Sequence, residues 1–106
     1  MALTATPTDV HPGAIVHVPQ FPFEENNQSK PRPALVIDVN HKTRQARLRG
    51  IYSNRHRRSA PISATYETNL DHDSFVADRI VTLPLHRIAT YIGEAPYDYD
   101  PFNDGF

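Results

Sequence analysis

The sequence predicts a small, mostly β fold. Ten prolines and only four glycines are spread over 106 residues. No long segment carries the 3.6-residue apolar period of an amphipathic helix. Apolar residues instead gather in short runs bounded by Pro, Asn, Asp and Ser, which is the pattern of strands and turns. A chain of this length forms one domain with a modest core.

The elements follow in order. Residues 1–12 read as a flexible leader. Ile15, Val16 and Val18 supply the first strand, and residues 19–31 make a long polar loop holding Phe21, Phe23, Glu24 and Glu25. Loops of that length in a compact domain are often functional. Residues 34–39 are an apolar run broken only by Asp38, expected of a central strand. Arg32 then stands at that strand's first residue, its backbone stiffened by Pro31 and Pro33.

Residues 40–43 form a turn, and residues 44–53 return as the hairpin partner. Strand alternation puts Ala46, Leu48, Gly50 and Tyr52 on one face and Arg47, Arg49, Ile51 and Ser53 on the other. With Leu48 in the core, Arg47 and Arg49 project from the opposite side. Residues 54–60 are an arginine-dense loop, and residues 61–64 a short strand. Residues 65–73 connect to one further strand over 74–83. Residues 84–87 turn, residues 88–92 make a last strand or short helix, and Gly93 ends it. Residues 95–106 alternate acids with aromatics and read as a disordered tail, or as one that lies on the basic surface and competes with a polyanion.

Net charge is −1, but its distribution is uneven. Residues 30–58 hold nine of the eleven basic side chains against Asp38 alone, a local charge of +8 between acidic flanks. Such asymmetry points to a polyanion partner, or to arginines that solvate the outer face of a hairpin. There is no cysteine, hence no disulfide framework and no thiolate metal site. The six histidines show no short metal-ligand spacing, so neither metal nor other cofactor is expected. No apolar run reaches the roughly 18 residues of a membrane span. The first twelve residues lack the basic start and apolar block of a signal peptide. A cytoplasmic protein that does not engage membranes is the expectation.

Several segments also occur in a telling order: Gly13-Ala-Ile-Val-His-Val, then Lys30-Pro-Arg32-Pro-Ala-Leu-Val-Ile, Ile51-Tyr-Ser53-Asn, Ser74-Phe-Val-Ala-Asp78-Arg-Ile-Val-Thr, and residues 88–93. The set resembles the PemK/MazF-like family of toxin–antitoxin toxins over about residues 12–94, with Arg32-Pro33-Ala34-Leu35-Val36 the most specific piece. The resemblance implies a small SH3-like β-barrel with one or two short helices over residues 13–94, usually a homodimer. It implies a metal-independent, sequence-selective endoribonuclease (an mRNA interferase) that cuts single-stranded RNA, and a cognate antitoxin that covers the RNA site.

Metal-free RNA cleavage uses the ribose 2′-hydroxyl as nucleophile. The protein must take its proton, stabilise charge on the phosphorane and protonate the leaving oxygen. By resemblance, Arg32 takes the transition-state role, Ser53 holds the scissile phosphate, and Asp78 acts as base or orients a base contact. Some family members carry an arginine two residues before that acid; here the position is Val76. Glu25, with Glu24 beside it, is a loop candidate for the general base. A fixed guanidinium offers paired donors to phosphate oxygens. Lys30, Arg55, His56, Arg57 and Arg58 are candidate RNA contacts, and Tyr52 a candidate stacking platform, as bases in single strands stack on aromatic or guanidinium planes. Tyr52 and Phe23 equally suit a core or a dimer interface. Because folds host many functions, a non-catalytic module binding nucleic acid or protein, or a gyrase-poison-type toxin, remains the alternative.

Overall fold

The longest strand organises the molecule. In the computed structural model, which describes residues 10–22, 29–55, 58–88, 90–96, 99 and 102, β2 runs over Ser29–Asn40. It lies between β1 (Ala14–Pro22) and β3 (Gln45–Tyr52), antiparallel to both. Its first half pairs with β1, from Ser29 to Leu35, and its second half pairs with β3, from Ala34 onward. Pro31 and Pro33 therefore lie where the second neighbour is not paired, and their missing N–H groups cost no ladder bond. The central position of the 34–39 run matches the sequence expectation. The strand start does not: Arg32 is the fourth residue of β2, and β1 continues to Pro22. A register shift between Val18 and Phe21 absorbs Pro19 and lets the strand resume.

The remaining strands are short. β4 (Ser59–Ile62) pairs with β5 (Ser74–Ala77), and β5 pairs with the end of β3. β6 (Val81–Pro84) pairs with the start of β3, and β7 (Thr90–Glu94) pairs with β1. The sheet order is β4-β5-β3-β2-β1-β7, with β6 beside β3. The single strand expected over 74–83 is thus two strands on different halves of β3. Residues 78–80 bend between them, because the sheet changes direction there. The protein is mainly β, an antiparallel sheet curled into a half-barrel. The described residues hold one 3₁₀ turn, Leu85–Arg87, and no α-helix, so the expected short helices reduce to that turn.

The β2–β3 turn is built by Asn40, whose Oδ1 accepts from the backbone N–H groups of Lys42 (3.0 Å) and Thr43 (3.2 Å). Arg44 closes it with a φ of 56°. Gly93 lies inside β7 rather than ending it. A Cβ there would sit 2.3 Å from the Thr68 carbonyl oxygen, so only glycine lets the loop carrying Thr68 approach. Thr68 is fully buried, and its hydroxyl donates to the Ser63 carbonyl at 2.9 Å.

Both faces of the sheet are covered. On the inner face, Val16, Val18, Phe21, Val36, Leu48 and Ile88 form the heart of one cluster, which extends back to Val10. On the outer face, Ile15, Leu35, Ile51, Ile62 and Val76 form a second. Each such buried side chain contributes about 1.5–3 kcal/mol of transfer free energy. Ile51, expected on the arginine face, is 2% exposed because that second cluster lies there. His11 Nε2 lies 2.8 Å from a Glu94 carboxylate oxygen, and the Tyr91 hydroxyl donates to the same oxygen, fixing the chain before β1 against β7. No helix among the described residues is long and apolar enough to cross a membrane.

Candidate nucleic-acid interface

Arg32 shares the inner face with Ala34 and Val36, and Tyr52 shares it with Leu48 and Gly50, by the alternation that the registers fix. The two meet at the rim of the inner cluster. The Arg32 guanidinium carbon stands 3.9 Å from the centroid of the Tyr52 ring, and Arg32 Nη1 donates to the Ile51 carbonyl at 3.4 Å. Gly50 makes this possible. A Cβ on it would lie 2.8 Å from Tyr52 Cε1 and 2.9 Å from Phe21 Cε1, so the tyrosine ring folds back over bare backbone. A cation stacked on a tyrosine face gains about 0.5–2 kcal/mol. It also keeps the guanidinium edge oriented, which is where its donors to phosphate lie.

Ser53 and Arg55 follow Tyr52 directly in the segment leaving β3, and both are exposed. Lys30 is exposed two residues before Arg32, opposite Phe21 on β1. Arg79 reaches this end of the sheet too, donating from Nη1 to the Pro22 carbonyl at 3.3 Å. Arg79 was not among the candidate site residues, and its long reach to β1 has no local signal. Gly50 had one: a glycine inside a strand often marks a close approach. Phe23, Glu24, Glu25, His56 and Arg57 lie outside the described residues.

Asp78 occupies a different place. Arg49 Nη1 donates to Asp78 Oδ1 at 3.2 Å and to the Asp78 backbone carbonyl, while Arg58 Nε lies 2.9 Å from Oδ2. The Asp78 N–H in turn donates to the Arg58 carbonyl at 2.9 Å. Arg49 is largely buried, its side chain 14% exposed, whereas Arg58 is 74% exposed. Arg49 and Val76 alternate onto the outer face, opposite Arg32 and Tyr52. Asp78 and Arg58 are thus gathered around Arg49, whose side chain leaves β3 on the face opposite Arg32. Each carboxylate oxygen already accepts from an arginine, so this acid is built as an anchor between β3 and the start of β4.

The basic block divides accordingly. Arg47 grips Asp38, its register partner, through Nε at 3.0 Å from both carboxylate oxygens and through Nη2. That hydrogen-bonded pairing holds the Asp38 carboxyl below its ordinary value of 3.8. Lys42 and Arg44 are exposed in the distant β2–β3 turn. Three of the arginines thus serve the sheet itself, and Lys30, Arg32 and Arg55 form the cationic end beside Tyr52 and Ser53. Among the described residues, no three His, Asp or Glu side chains are gathered so as to hold a metal ion. No protein-family model matches the chain, and no curated protein matches it.

Proposed function

We propose that the protein is a metal-independent, sequence-selective endoribonuclease of the PemK/MazF-like toxin kind, acting on single-stranded RNA. The observation that carries this is the Arg32 guanidinium held over the Tyr52 ring, with the exposed Ser53 as the next residue. In this reaction the 2′-hydroxyl attacks the adjacent phosphorus, the bond to the 5′-oxygen breaks, and a 2′,3′-cyclic phosphate and a 5′-hydroxyl result. Arg32 donates to the non-bridging oxygens as charge builds on them, an effect commonly worth a hundredfold or more in rate. Ser53 holds the same phosphate, Tyr52 offers its ring edge to a base, and Lys30 and Arg55 draw in the strand. The general base is assigned to the 23–28 segment, with Glu25 as the candidate; His56 and Arg57 extend the basic loop. The same proposal brings a cognate antitoxin, a homodimer and a cytoplasmic setting.

A second assignment is favoured by one specific observation: both carboxylate oxygens of Asp78 are engaged, one by Arg49 and one by Arg58. With that acid committed elsewhere, the Arg32 end suits a non-catalytic module that binds single-stranded nucleic acid, or a gyrase-poison-type toxin. One experiment separates the two. The purified protein is incubated with a long single-stranded RNA in excess chelator. Cyclic-phosphate ends that vanish in Arg32→Ala support the nuclease. Intact RNA, with binding that weakens steeply as salt rises, supports the module.

A further inference from the structure

The outer cluster needs a cover, and part of it comes from beyond the last strand. Tyr99 and Phe102 pack against the face of Ile15, Leu35, Ile51, Ile62 and Val76. The Tyr99 hydroxyl donates to the Pro61 carbonyl at 2.9 Å. Pro61 lies on β4, the end strand of the sheet, so this bond falls on an edge that carries no further strand. The Phe102 ring lies under Arg49, whose guanidinium carbon is 4.5 Å from its centroid, while Asp78 holds that guanidinium from another side. Burial pushes the Tyr99 phenol up to about 12.

These contacts have the character of recognition rather than of folding. Tyr99 and Phe102 belong to no strand; among the described residues they are held to the sheet by one hydroxyl bond, one ring beneath a guanidinium and two aromatic surfaces on aliphatic ones, while the Tyr99 N–H donates to the Pro96 carbonyl at 2.9 Å within the tail. The sequence around them is acidic, with Asp98, Asp100 and Asp104. We propose that this outer face is a docking groove for an acidic peptide segment that carries two aromatic residues three positions apart. The chain's own tail is the tethered occupant, exchangeable for a partner segment of the same chemistry. The first aromatic carries a hydroxyl for the Pro61 carbonyl; the second lies under Arg49. The groove is on the opposite side of the sheet from Arg32, so it stands whether or not the chain cuts RNA.

The test uses the full-length chain and a fluorescent peptide of residues 95–106, read by anisotropy. A tethered occupant has an effective concentration of order millimolar, so the wild-type chain should bind the free peptide at least about tenfold more weakly than the Tyr99→Ala/Phe102→Ala chain. A peptide with both aromatics replaced by alanine should not bind. Should the double variant fail to fold, Phe102→Leu keeps the apolar cover and removes only the ring under Arg49. That chain should bind the peptide about two- to threefold more tightly than wild type, given the size of a cation–π contact. Unchanged peptide affinity in the folded double variant, or in Phe102→Leu, overturns the groove. So does displacement of the peptide by a single-stranded RNA oligonucleotide, which would make the face a nucleic-acid surface instead.

Discussion

Two arginines three register positions apart meet opposite fates on the two sides of one sheet. Arg32 lies at the inner rim, its guanidinium over the Tyr52 ring and donating to a strand carbonyl. Arg49 lies on the outer face, bonded to Asp78 and capped by Phe102. The difference lies in the groups that orient each guanidinium. A guanidinium that stacks on an aromatic ring and bonds a carbonyl is oriented by groups that carry no charge of their own. A guanidinium bonded to a carboxylate has its charge balanced locally and adds rigidity instead. Counting basic residues along the chain does not distinguish these cases; the partner across the sheet does.

The largest effect should come from Arg32. Arg32→Lys retains the charge but loses the planar surface that lies on Tyr52 and the paired donors. RNA cleavage should fall by roughly a hundredfold, with a thermal melt close to wild type. Arg58→Ala, on the other face, should leave cleavage within about threefold, as expected for a solvent-screened charge. Equal losses in the two variants, measured with one RNA under one salt condition, would dissolve the functional distinction between the faces.

The next effect is on stability and belongs to the outer face. Asp78→Asn removes the charge that balances the largely buried Arg49, at a cost of about 2 kcal/mol. For a domain of this size that lowers the melting temperature by roughly 10 °C. Cleavage per folded molecule should be retained, because Asp78 is bonded to Arg49, whose side chain leaves β3 on the face opposite Arg32. A loss of activity with an unchanged melt would return Asp78 to the catalytic role that the resemblance gave it.

How far the sequence foretold these two regions depends on the range of the forces involved. The alternation of Ala46, Leu48 and Gly50 against Arg47 and Arg49 is a two-residue period, and it survives intact in β3. The central strand was legible from its apolar run, Ala34 to Ile37 and Val39. The break at residues 78–80 was not, since it depends on Arg49, Arg58 and Pro22, all distant in sequence. Gly93 looked like a terminator because glycine often is one; its actual role is set by a carbonyl of the loop around Thr68. Residues 19–22 looked like loop because of their prolines, whose cost disappears beside a bulge. The rim arginine and its tyrosine were both singled out, but their contact rests on Gly50, two positions from Tyr52 on the same face. Arg58 was grouped with the RNA contacts by charge alone, and its partner Asp78 could not be seen from the sequence.

A smaller effect concerns how the outer face holds Tyr99. Its phenol is raised from 10.0 to about 12 by burial, so docking of Tyr99 favours the protonated form. The stabilisation is fully present below pH 10.0 and is lost as pH rises toward 12, where the docked ring must also ionise. Tyrosinate absorbance should therefore show a late-titrating group in the wild-type chain. That group should be missing in Tyr99→Phe, whereas the Arg32–Tyr52 rim should be unaffected by the substitution.

The smallest effect is expected where charge is most exposed. Asp38 and Arg47 pair on the surface of the β2–β3 hairpin, outside both regions. The hydrogen bond from Arg47 lowers the Asp38 pKa, so its contribution is present above the ordinary value of 3.8 and is lost as pH falls through the lowered one. Solvent screens such a pair and side-chain entropy opposes it, so exposed ion pairs contribute little. Asp38→Asn should leave the thermal melt at neutral pH within experimental scatter, and RNA cleavage unchanged. A marked loss of cleavage there, with the fold intact, would mean that the hairpin arginines act on RNA as a group. The contrast between Arg32 and the hairpin arginines would then lie in degree of exposure rather than in which side of the sheet they occupy.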